Sequence, residues 1–97
     1  MLLDTYKPKW DLIPSHCREG LELYLEHGVP VGSFLEAVLC NDLCEAVGRA
    51  DEPNTRALPN YIKFLYGFAP AGSWGSPQNY AEWIKQGGLQ GLAKETA

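Results

Sequence analysis

An all-α fold, a small four-helix bundle-like single domain with an extended N-terminal arm, is predicted by three features of the chain. Nothing alternates with a strand's two-residue period for long. Apolar stripes at helical spacing are bounded by residues that start and stop helices. Residues 33–50 are so rich in Phe, Leu, Val and Ala that, as one helix, they belong at the centre of a domain.

Taken in order, residues 1–14 read as the arm, with Pro8 and Pro14 around Trp10. Leu2, Leu3, Tyr6, Trp10, Leu12 and Ile13 are too apolar for a free end, so the arm is expected to lie across the domain or a partner. Ser15 caps a first helix that runs to His27, and Gly28 stops it as a left-handed C-terminal glycine. Leu21, Tyr24 and Leu25 form its buried stripe. After the turn Val29-Pro30-Val31-Gly32, Ser33 and Glu36 make a capping box that opens the central helix. Asn41 offers an alternative cap inside that helix, and with it a break near Cys40.

Asp51-Glu52-Pro53-Asn54 starts a third helix with Leu58, Tyr61, Ile62, Leu65 and Tyr66 on one side. Pro59 falls within it and is expected to kink the helix or delay its start. A Gly-, Ala- and Pro-rich loop from Gly67 to Gly75 follows. Ser76-Pro77 is an N-cap with proline in the first turn, and the fourth helix carries Tyr80, Trp83 and Ile84 before Gly87-Gly88 ends it. Residues 89–97 read as a flexible tail.

A chain of 97 residues supports one core and one domain. Hydrophobic content of 45% with 21% charged residues excludes a disordered chain and a membrane span. The formal net charge of -4 opposes duplex nucleic-acid binding, which needs clustered cations. No basic start joined to a long apolar run marks a targeting peptide. The odd cysteine count, with Cys40 and Cys44 four apart on a predicted helix, reads as reduced thiols and a cytosol.

Polar groups within the central segment are the first candidates for function. At about 100° per residue, Phe34, Leu35, Val38, Leu39, Leu43, Ala46, Val47 and Ala50 cover more than half the helix, and Asp42 falls inside that arc beside Glu45 and Arg49. Unpaired charge is costly to bury. These groups therefore either form a structural ion pair, reaching to Asp51 or Asn54, or face a ligand. The second candidate is Ser73-Trp74-Gly75-Ser76-Pro77, where a helix N-terminus suits phosphate and Trp74 offers a stacking face. The plain alternative has Trp74 plugging the bundle and Ser76 only capping. His16, Cys17, His27, Cys40 and Cys44 match no compact metal motif, and no thiol stands out as a nucleophile beyond the His16-Cys17 pair. Aromatic residues are numerous enough that a surface surplus would mark an interface.

The run Val29-Pro30-Val31-Gly32-Ser33-Phe34-Leu35, with Val38-Leu39, Asn41-Asp42-Leu43, Arg49-Ala50-Asp51, Asn54, Trp74-Gly75-Ser76 and Trp83, resembles short accessory proteins encoded by phages and prophages. The similarity spans residues 13–84. It implies a viral protein in a bacterial cytosol that counters host immunity, by sequestering a small nucleotide signal or by plugging a defence complex.

The expectation drawn from residues and resemblance together is a non-enzymatic, cofactor-free binder of a small anionic ligand such as a signalling nucleotide. Arg49, Ser73 and Ser76 would hold phosphate, Trp74 would stack on a base, and Asn41 with Asp42 would read polar edges. A homo-oligomer is expected through the small-residue face of Ala37, Cys44 and Gly48. The alternatives are an inhibitor that blocks a host defence protein and a small hydrolase using Asp42, Glu45 or His16.

Overall fold

A computed structural model describes residues 10–91, and these residues are helical with no strand among them. A 3-10 turn at Trp10–Leu12 leads into five α-helices: α1 (Ser15–His27), α2 (Ser33–Leu39), α3 (Leu43–Arg49), α4 (Glu52–Phe68) and α5 (Pro77–Gln86). The described part of the predicted arm lies on the body. Ile13 is fully buried, and the Trp10 ring sits 4.6 Å from Phe64 of α4. Residues 1–9 of the arm and 92–97 of the tail lie outside the described residues. The chain remains engaged up to Leu89, which is buried, so the segment read as tail begins inside the fold.

Local chemistry sets most of the helix ends. Gly28 and Gly87 adopt the left-handed conformation and close α1 and α5 where the sequence places their stops. Gly88 has a second reason to be glycine, because a Cβ there would come within 2.6 Å of the backbone of Glu26, His27 and Gly28. The end of α1 thus packs directly on the turn after α5. Asp51 and Ser76 cap α4 and α5 through the amides of Asn54 and Asn79. Helix α4 runs from Glu52 to Phe68 through the exposed Pro59, so the proline does not delay its start.

The largest departure from expectation is in the central segment. Residues 33–50 form two helices with a Schellman-type stop between them. Asn41 takes φ +62°, its N–H reaches Val38 O at 3.0 Å, and the N–H of Asp42 reaches Ala37 O at 2.8 Å. Asp42, not Asn41, then caps α3 by accepting the Glu45 N–H at 3.2 Å. The turn resets the helical phase, and the two halves bury different amounts. Phe34, Leu35, Ala37, Val38 and Leu39 of α2 are buried, whereas α3 buries only Ala46.

Core packing centres on Tyr24, Tyr61, Phe64, Leu21, Leu25, Leu39 and Leu65. Its polar handles are satisfied as buried aromatics require. Tyr24 donates to Ser73 O at 2.7 Å, Tyr61 to Asn54 Oδ1 at 2.7 Å, and Trp83 Nε1 to Tyr24 O at 3.0 Å. Burial pushes the Tyr24 and Tyr61 hydroxyls far above the ordinary phenol range, which keeps them neutral donors. Glu26 is the exception, buried with no hydrogen bond to either carboxylate oxygen.

Candidate docking surface

The predicted site residues fall into two groups that do not meet in one pocket. Asp42 and Arg49 line a broad groove of about 360 Å³ with Ser33, Glu36, Ala37, Cys40, Glu45 and Pro77. Both are exposed, so no charged stripe is buried in this segment. Arg49 Nε pairs with Glu45 Oε2 at 2.7 Å along α3 itself, and this is the ion pair observed in place of a tie to α4. Glu36, Asp42 and Glu45 set three carboxylates against that single guanidinium. Such a groove repels phosphate. Burial, followed by the Glu36 and Asp42 charges, pushes the Cys40 thiol up, consistent with a negative local field.

The loop residues mostly serve the fold. Ser73 is fully buried, and its hydroxyl donates to Pro70 O at 2.6 Å, which closes it to any ligand. Trp74 is half-buried against the core, and its carbonyl accepts from Asn79 Nδ2 at 2.9 Å. Ser76 Oγ is occupied as the α5 cap. The Gly75 N–H reaches Leu39 O at 2.7 Å and joins this loop to the end of α2. Gly48, expected at a helix-pairing face, is exposed and has nothing within 4 Å of a Cβ built on it, while Ala37 is turned into the core.

Asn41 and Asp42 also border a second feature on the other side of Ala46. Ala37, Val38, Leu43, Ala46, Leu58 and Ile62 line, together with these two polar residues, a shallow hollow of about 30 Å³. Leu43 and Val47 are 67% and 51% exposed, and Ile62 and Tyr66 of α4 are 40% and 85% exposed. Residues four apart share a helix face. Leu43 and Ile62 line the hollow itself, and Val47 and Tyr66 therefore extend the same two exposed apolar faces one turn further. Sequence periodicity assigned all four to the core. The signal available was the aromatic and apolar surplus, which exceeds what the interior of so small a body holds.

A polar cluster at the opposite side of α2 escaped sequence reasoning. His16 Nε2 lies 2.9 Å from Asp51 Oδ2, and Cys17 Sγ lies 3.6 Å from Asn54 Nδ2, beside the bond from Tyr61 to Asn54. The Asn54 N–H and the His16 ring hold the Asp51 carboxyl below its usual range. This network fastens the first turn of α1 to the start of α4. The Cys17 sulfur engages Asn54, and among the described residues no group of three His, Cys, Asp or Glu converges as a metal site.

Comparison of the chain with protein-family models, curated proteins and solved structures finds no match.

Proposed function

We propose that the protein is a non-catalytic binding protein that acts by covering a surface of a second protein. The observation that carries this reading is the exposed strip of Leu43, Val47, Ile62 and Tyr66. From their exposures the strip presents on the order of 400 Å² of apolar area, a size at which a monomer's largest patch is often functional. Asp42 borders it, Glu45 lies close by, and the whole chain carries -4, so the partner is a protein with a basic surface. In the setting that the phage resemblance implies, that partner is a host defence protein whose basic face binds nucleic acid.

The test is recovery of a partner by the tagged full chain from the cells that naturally make it. The double variant Leu43→Glu, Ile62→Glu is compared with Glu82→Ala, a control on exposed α5 surface, after circular dichroism shows both folded. A partner kept by the control, lost by the double variant and weakened by salt is the expected result. A partner held equally by all, or none held by the unaltered chain, overturns the reading.

Capture of a small anionic nucleotide is the second reading. In its favour stands the groove containing Arg49, whose volume of about 360 Å³ falls at the lower end of the range of ligand sites. Its excess of carboxylates weighs against it. Calorimetric titration with cyclic mono- and dinucleotides decides: binding abolished by Arg49→Ala supports capture, and absence of heat removes it.

A further inference from the structure

We infer that the face shared by α3 and α4 seats a single amphipathic α-helix of the partner, with apolar residues at four-residue spacing and an Arg or Lys on the flank that meets Asp42. This inference rests on the reading of the strip as a docking surface and specifies the form in which the partner meets it.

Relief decides how contact is made. The hollow of about 30 Å³ between Leu43, Leu58 and Ile62 has room for a water-sized group but not for a large side chain. Affinity must therefore come from side chains spread along the surface, and two ridges provide them. Leu58, Ile62 and Tyr66 follow one another at four-residue intervals for about 12 Å along α4, and Leu43 with Val47 for about 6 Å along α3. Between the ridges, the small side chains of Ala37 and Ala46 keep the floor low. Rows of residues four apart are the ridges that helices interlock when they pack on one another.

Backbone chemistry decides the form of the occupant. Leu58, Ile62 and Tyr66 lie inside a 17-residue helix, where N–H and C=O groups bond along the helix itself. No strand edge exists among the described residues. An extended segment laid across this face would find no main-chain partners and would leave its own amides unpaired. An α-helix satisfies its own.

Charge decides the flank. Asp42 stands exposed at the start of α3, and its one described hydrogen bond is from the Glu45 amide to Oδ1. It joins no ion pair among the described residues. A cation on the docked helix therefore meets this carboxylate without displacing a native ion pair. A second copy of this chain is a poorer occupant: a strip of about 400 Å² is half of the roughly 800 Å² per partner in a stable interface, and two chains of net charge -4 repel.

The test uses a displayed library of alanine-based peptides of about 18 residues, long enough to hold a helix, randomised along one face and selected against the full chain. Enriched peptides are expected to carry Leu, Ile, Phe or Trp at four-residue spacing with a flanking Lys or Arg, and to lose binding when a central position is changed to proline. Their affinity for Asp42→Asn is expected to fall about tenfold, because asparagine keeps the α3 cap and removes only the charge. Leu43→Glu and Tyr66→Ala alter largely exposed side chains, and both are expected to weaken binding by about tenfold or more while circular dichroism shows them folded. Peptides that tolerate the central proline, or that bind Asp42→Asn as well as the unaltered chain, overturn the helix inference but leave the strip standing, provided Leu43→Glu still blocks them. Binders indifferent to Leu43→Glu and Tyr66→Ala, an empty selection, or self-association that displaces the peptides overturn both.

Discussion

Helices α2 and α3 are equal in length, seven residues each, adjacent in the chain and both rich in apolar residues, yet they have opposite fates. Helix α2 inserts five side chains into the core and is held at its end by the bond from Gly75 to Leu39. Helix α3 touches the interior through Ala46 and is otherwise maintained by its Asp42 cap and the Glu45–Arg49 pair. Both carry Leu, Val, Ala and one Glu, although α3 has Cys, Gly and Arg where α2 has Ser, Phe and a second Leu. What separates their fates is phase: the left-handed residue at position 41 turns the second apolar stripe outward, and a stripe that would have been core becomes surface.

The sharpest way to break this contrast is to truncate one leucine from each helix. Leu39→Ala, at a fully buried position, is expected to cost about 2–5 kcal/mol in urea denaturation. Leu43→Ala, only four residues further along and mostly exposed, is expected to change stability by less than about 0.5 kcal/mol. Equal losses would mean that α3 is packed like α2.

Backbone substitutions probe the turn that separates them. Asn41→Ile places a β-branched residue at φ +62° and is expected to cost about 1–2 kcal/mol, whereas Asn41→Gly is expected to be neutral or mildly stabilising. Within α3, Gly48→Ala adds a methyl group that meets nothing within 4 Å, so it should stabilise by up to about 1 kcal/mol through helix propensity alone. Thermal melting of the three variants checks both expectations.

A smaller effect concerns the helix that α3 leads into. Asp51 has a folded-state carboxyl held below its usual range by the Asn54 amide and by His16. Its contribution is thus present above the unfolded value of about 3.9 and fades as pH falls through the lower folded value. Asp51→Asn, which retains a capping oxygen, is expected to flatten the acid limb of a stability-versus-pH curve. An unchanged acid limb would show that the carboxylate contributes nothing there.

Much of the fold was legible because it is written in local chemistry. Gly28, Gly87, Asp51 and Ser76-Pro77 fix helix ends by conformations and caps that need no tertiary information. The break at Asn41 was legible only as an alternative, since asparagine serves equally inside a helix and in a left-handed turn. Once the phase was carried across it, Leu43 and Val47 were assigned inward and Asp42, Glu45 and Arg49 were given a burial they do not have. Ser73 misled for a different reason, because its hydroxyl is turned inward toward Pro70 and its carbonyl is fixed by Tyr24, 49 residues away. The cluster of His16 with Asp51 spans 35 residues and left no periodic trace.

Amide hydrogen exchange under native conditions tests the central claim most directly, that α3 is a surface element pinned at one point. Amides of Val38 and Leu39 should exchange only with global unfolding, while those of Val47, Gly48 and Arg49 should exchange through local opening at rates at least about a hundredfold faster. Equal protection across residues 38–49 would contradict the account, because it would require α2 and α3 to open as one buried helix.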